Sequence, residues 1–167
     1  MLTMPTPVVS NSSPIIHLAK IDQLNLLPDF FGELIIPPAV YEECITEGKG
    51  RPEVAKIKQA SWLRVVQVTN QNLVKLLNAE VDRGEAEAIA LALETRASLI
   101  LLDDADAREK ARLYHLKMTG LLGVLLRARK TGRVASLSEK LDALRVSGFW
   151  LNARLTDRLL REVGERS

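Results

Sequence analysis

Oxygen-bearing side chains recur in this chain at four places where a short apolar run gives way to a helical pattern. They are Asn11 in VVSNSSPIIHL, Glu42 and Glu43 in IIPPAVYEEC, Glu85 and Glu87 in DRGEAEAIALA, and Asp103, Asp104 and Asp106 in LILLDDADAR. Carboxylate and amide oxygens are hard donors of the kind Mg²⁺ prefers. In an open α/β sheet, ligands bind outside the carboxyl ends of the strands, so residues far apart in sequence converge there. Oxygen donors recurring at such ends predict one cleft suited to a divalent cation. Each site also has a plain structural use. Acids complement the positive end of a helix in its first turn, and Asn11 suits an Asx-turn. Capping calls for one acid per helix, however, and gives no reason for Asp103 and Asp104 to stand side by side.

The elements that must position these residues are legible in the apolar pattern. Pro7 to Ser10, Leu34 to Ile36, Leu63 to Val68, Ser98 to Leu102 and Leu116 to Thr119 read as strands. The run Leu99-Ile100-Leu101-Leu102 is apolar on both faces, as a central parallel strand requires. Between the strands, Ala86, Ile89, Ala90, Leu93 and Ala97 keep one helix face apolar and small enough to lie close to a sheet. Ser13-Pro14 supplies an N-cap and a proline for the first helical position. Asp103 or Asp104 suits the cap of a helix beginning near Ala105. Glu47 to Pro52 reads as a flexible loop. Beyond Thr119 the pattern is helical throughout, over Leu121–Arg129, Leu137–Arg145 and Leu151–Val163. The alternation predicts a three-layer α/β domain with a central parallel sheet of about four to five strands flanked by helices. A single domain is expected over 1–167, its portion from about 120 to 167 helical.

Bulk properties narrow the setting. At 47% hydrophobic and 26% charged, the chain has the composition of an ordinary globular domain. A net charge of +2 permits contact with a polyanion without demanding it. Cys44 is the single cysteine, which precludes an internal disulfide and suits a reducing cytosol. The N-terminal MLTMPTPVV lacks the pattern of a signal peptide, and no apolar run approaches the ~20 residues of a membrane span. A soluble cytoplasmic protein is expected.

Taken in order, SNSSPIIHLAKI, IPPAVYEE, GEAEAIALA, LLDDADAR and TGLLGVLLRARKTG resemble the PIN domain family, closest to prokaryotic PIN-like proteins related to toxins of toxin–antitoxin pairs. The resemblance runs from about Val8 to the final helix. It implies a parallel sheet sandwiched by helices and a metal-dependent ribonuclease, with carboxylates holding Mg²⁺ or Mn²⁺. It also implies RNA as substrate, an antitoxin protein as partner and a homodimer as the working unit. Position by position, the family's first Asp falls on Asn11, with Ser13 matching the serine two residues on. The next acid falls on Glu43, with Glu42 adjacent. The third falls on Glu85, with Glu87 as second choice. The last falls on Asp104, with Asp103 and Asp106 as stand-ins. Glu43, Glu85 and Asp104 would then be metal ligands, supported by Asp103, while Ser13 orients Asn11 or the attacking water.

Asn11 departs from the pattern, since an amide offers a neutral oxygen where the family has a full charge. Two unit charges ~4 Å apart at an effective dielectric of ~20 interact by about 4 kcal/mol. Weakened metal binding is therefore expected, and a non-catalytic PIN-like binding module is the alternative reading. Arg127, Arg129, Lys130 and Arg133 form a basic run suited either to phosphates beside the cleft or to the end of their own helix. Aromatics make up 4% of the chain, and none are paired in a way that suggests a base-stacking platform. Phe149-Trp150 with Leu151, Leu155 and Leu159 suggests a dimerising helix. No phosphate-binding or dinucleotide glycine motif is present. An aspartyl-phosphate enzyme would need an acid where this chain has Asn11. His17 lies in an apolar segment and reads as packed, and neither it nor Cys44 belongs to a recognisable catalytic motif.

Overall fold

The computed structural model describes residues 6–167. Residues 1–5, which include part of the N-terminal segment weighed as a leader and the start of the expected domain, lie outside the described residues. Five parallel strands form one sheet: β1 (Val8–Ser10), β2 (Leu34–Ile36), β3 (Leu63–Val65), β4 (Leu99–Leu101) and β5 (Met118–Thr119), in the spatial order β3-β2-β1-β4-β5. Val9 of β1 pairs with Ile35 on one side and Ile100 on the other. The chain thus builds outward from β1 to β3, then returns to lay β4 on the opposite side of β1. That reversal puts a topological switch point between β1 and β4, where an open sheet leaves a crevice at its carboxyl edge.

The first three helices are α1 (Ser12–Lys20), α2 (Leu26–Phe31) and α3 (Pro38–Ile45), followed by α4 (Pro52–Lys58), α5 (Gln71–Asn78) and α6 (Arg83–Glu94). After β4 come α7 (Ala105–Leu113), α8 (Leu121–Lys130), α9 (Leu137–Val146) and α10 (Ala153–Glu162). The three-layer α/β arrangement is the one the alternation predicts. Strands β1 and β2 are buried throughout. The alanines of α6 let it lie against β1 and β4 with Ala86, Ala88, Ala90 and Ala92 fully buried.

Local boundaries differ from the sequence reading in instructive ways. The third strand stops at Val65 because it is an edge strand with Arg64 and Val65 facing solvent. Val66 still donates to the Ile36 carbonyl, and the chain then turns away, with Val68 buried in the core. An extra helix, α5, separates β3 from α6, so Glu85 enters the cleft from a helix that does not follow a strand directly. Asn11, rather than Ser13, occupies the N-cap of α1, which places both serines inside the first turn. The loop near 47–52 is a turn through Gly50 at φ +88°, ended by Pro52 at the first position of α4. The stripe expected to dimerise docks on its own domain: Leu159 is buried, and Leu151 and Leu155 pack against the core. Trp150 alone of that segment stays largely exposed, at 79%. No helix of the described residues is long and apolar enough to cross a membrane.

Candidate functional site

At the switch point, β1 gives out at Asn11, whose N–H donates to the Leu101 carbonyl of β4 at 2.9 Å. This bond carries the sheet pairing one residue past the strand, to the switch point. Asn11 is only 5% exposed, and its Oδ1 has no hydrogen-bond partner among the described residues, nor does the side chain cap α1. Leaving a buried acceptor without a donor costs roughly 1–3 kcal/mol. The two serines that follow tie neighbouring acids to this point. Ser12 Oγ donates a short hydrogen bond to Glu43 Oε2, linking α1 to α3. Ser13 Oγ donates to Asp103 Oδ2 at 2.9 Å, bridging the gap between β1 and β4.

Asp103 is held from a second side. Its Oδ1 accepts the Leu121 N–H at the start of α8 at 2.8 Å. Gly120 permits this approach, since a Cβ there would come within 2.6 Å of the same oxygen. Burial raises the Asp103 pKa, opposed by the Leu121 and Ser13 hydrogen bonds and by Arg108. Asp104, the preferred ligand, is exposed; it caps α7 by accepting the Ala107 N–H at 3.0 Å. Asp106 lies exposed in the first turn of the same helix.

Glu85 and Asp82 form a reciprocal cap at the start of α6: Asp82 accepts the Glu85 N–H at 2.8 Å, and Glu85 accepts the Asp82 N–H at 3.3 Å. Glu85 is nonetheless the most perturbed acid of the group. Burial, then the charges of Asp82 and Asp104, push its pKa up to about 7. Glu43 is half-buried with its carboxylate laid against Gly84, where a Cβ would collide with it. Burial raises its pKa too, with Asp82, Glu47 and Glu87 adding to the effect and Ser12 opposing it. Glu42, the neighbouring alternative, faces solvent. Glu87 is buried but already engaged, accepting from Arg83 Nε at 3.0 Å and from the Ala39 N–H at 3.3 Å. It anchors the start of α3 to α6.

The turn after β1 therefore carries Asn11 and two serines that hold Glu43 and Asp103 in separate hydrogen bonds, with Glu85 and Asp104 as a mutually repelling pair. Among the described residues, no group of three or more His, Cys, Asp and Glu side chains stands ready to hold a metal ion. The donors still suit one in kind. Mg²⁺ is commonly held by one or two carboxylates with waters retained, and the unpartnered Asn11 Oδ1 adds a neutral oxygen. Sequence reasoning missed Ser12, Asp82 and Arg108. Asp82 could have been found, because D-x-x-E before an apolar run marks a cap with Glu at its third position.

The basic run lies elsewhere. Arg127 sits over the Phe30 ring at 4.3 Å, and Arg129, Lys130 and Arg133 pair with Glu165, Glu162 and Asp29. These residues occupy the C-terminal end of α8 and the turn after it, whereas Asp103 meets the helix's N-terminus. His17 packs edge-to-face on Phe149, with ring centroids 4.9 Å apart. Cys44 is buried, and that burial pushes its thiol up to about 12, so it is not a ready nucleophile.

A family model described as a PIN domain matches residues 7–165. With its parallel five-stranded sheet and its acidic crevice, the chain belongs to the PIN domain family. That is a nuclease-like family whose members generally use divalent metals. No curated protein matches the chain.

Proposed function

We propose that this protein is a metal-dependent endoribonuclease of PIN type whose metal site is weakened by Asn11, and that it acts as the toxin of a toxin–antitoxin pair. The unpartnered, buried Asn11 Oδ1 at the switch point is the observation that carries the nuclease reading. A buried polar atom without a partner calls for one, and the two serines that follow it hold Glu43 and Asp103. Glu43, Glu85 and Asp104 would hold Mg²⁺ or Mn²⁺ together with the Asn11 oxygen, and Asp103 would support them from the α8 side. When bound, the cation lowers the pKa of water and stabilises charge on the oxygens of an in-line phosphodiester displacement. The chain's own contribution is positional. Ser12 and Ser13 fix Glu43 and Asp103 from a single turn of α1, and Gly84 and Gly120 leave room for the two carboxylates.

One observation favours a second reading, in which the scaffold only binds RNA or a partner protein. Among the described residues the acids do not form a group of three that could hold a metal ion. Asn11→Asp separates the two. In the nuclease reading it tightens Mn²⁺ at least ~10-fold in calorimetric titration, because it restores a charge beside a divalent ion. It also speeds Mn²⁺-dependent cleavage of labelled single-stranded RNA, whereas Asp104→Asn abolishes it. In metal-free buffer the same Asn11→Asp change lowers stability by about 1 kcal/mol through added repulsion. If both variants leave metal binding and cleavage unchanged, the binding-module reading replaces the nuclease. A small DNA-binding reading frame beside the gene supports the toxin role, and light scattering against the 18.5 kDa chain mass tests the homodimer.

A further inference from the structure

Beside the acidic crevice lies a groove of about 420 Å³, bordered by Asp103, Arg108, Leu122, Phe149, Trp150 and Leu155. Asp103 lines the groove and also accepts from Ser13 at the switch point, so this one carboxylate links the two. We infer that the groove is a nucleobase subsite, receiving one unstacked base of a single-stranded RNA against the Trp150 indole while the adjoining phosphodiester meets the acids. The inference rests on the nuclease reading for the identity of the polymer.

Three features of the groove favour a nucleotide over another occupant. Its volume falls within the ~300–1,000 Å³ of small-molecule sites, and its lining is mainly apolar with a few polar groups. Trp150 offers an exposed aromatic face, the usual platform for an unpaired base, and its neighbour Phe149 is fixed by the edge contact with His17. Arg108 adds a cation where the basic run of α8 adds none. One of its N–H groups anchors to the Leu102 carbonyl at 2.7 Å, and a guanidinium has five donors, which leaves others for a phosphate oxygen. An aromatic face, a guanidinium and the Asp103 carboxylate line one groove, and they match base, phosphate and the near side of the cleavage site. The strand must be single because the bases of a duplex are stacked away from such a face.

The full-length chain carrying Trp62→Phe keeps Trp150 as its sole indole. In chelator, where no cleavage occurs, a short single-stranded RNA should quench its emission saturably. The same oligomer with abasic sites, and a duplex RNA, should bind at least ~10-fold more weakly. By anisotropy of labelled RNA, Trp150→Ala should lose ~10-fold in affinity and Trp150→Phe should recover most of it; Trp150 is largely exposed, so neither change disturbs the core. Unchanged emission with single-stranded RNA, while Mn²⁺-dependent cleavage persists, overturns the subsite and leaves the nuclease reading standing. An equal response to abasic RNA also overturns it, since the contact would then be with the backbone. Emission that changes with protein concentration and not with RNA assigns the surface to a second copy of the chain and overturns it as well. Base-dependent quenching in a protein that cleaves no RNA upholds the subsite and sinks the nuclease reading.

Discussion

At the carboxyl edge of the sheet, Glu85 faces Asp82 and Asp104 and is pushed up to about 7, whereas near the far end of α8 Glu165 is held down at about 2. Burial raises both carboxyls. For Glu165 the N–H groups of Ser138 and Leu137, with Arg129 and Ser136, outweigh that effect. Its oxygens accept from Leu137 at 2.7 Å and Arg129 at 2.8 Å, closing the start of α9 onto α8. One end of the molecule thus compensates its charges, and the other sets Glu85 against two like charges. Structural ion pairs are built to be satisfied, while a site that awaits a ligand carries a standing electrostatic cost.

The sharpest way to break the contrast is at Glu165. Glu165→Ala removes the acceptor for the first N–H groups of α9 and leaves Arg129 unpaired, so unfolding free energy should fall by about 2–3 kcal/mol in urea titration. The depressed pKa gives the pH dependence its sign. The stabilisation is present above the ordinary carboxylate range and is lost as pH falls from about 4.5 toward 2. Glu165→Gln should flatten that acid limb; an unaltered limb would mean that the compensated region contributes little.

Glu85 should behave in the opposite sense. Its raised pKa means that ionisation disfavours the folded state, so stability declines as pH rises from about 4.5 to about 7 in metal-free buffer. Allowing for solvent screening at the crevice, Glu85→Gln should raise stability at pH 8 by about 1–2 kcal/mol. Glutamine can still accept the Asp82 N–H, so the cap survives. A fall in melting temperature instead would show that capping, and not repulsion, governs this residue. Gly84→Ala should separate stability from function. Alanine favours the helix by up to ~1 kcal/mol, yet its Cβ displaces the Glu43 carboxylate from Ser12. Stability near or above that of the wild type, with weaker Mn²⁺ binding, is the expected pair of results. The smallest effects belong to Lys130→Gln and Arg133→Gln. As exposed ion pairs each should cost at most ~1 kcal/mol, and neither should change RNA affinity or its salt slope. A slope reduced by about one unit per substitution would return the basic run to the RNA-binding surface.

The alternation of apolar runs with helical faces made the parallel sheet legible, because strands buried on both sides admit few polar residues and the helices between them need one apolar face. The departure at Asn11 was equally visible, since it lies directly after the first strand in a recognisable serine-rich turn. The order of the strands was not legible. Only the folded chain sets β4 beside β1, and that neighbourhood lets Ser13 reach Asp103 across 90 positions of sequence. Residue type alone likewise could not sort the charges. Arg127 to Arg133 and Arg108 carry the same kind of group, yet the first set meets acids and aromatic rings of its own fold while Arg108 borders the crevice. Glu85 and Glu87 stand two residues apart on one helix, and Glu87 finds Arg83 and a backbone N–H where Glu85 finds two other acids. Sequence fixes which groups can carry charge, but a carboxylate's pKa depends on the burial and partners that packing supplies.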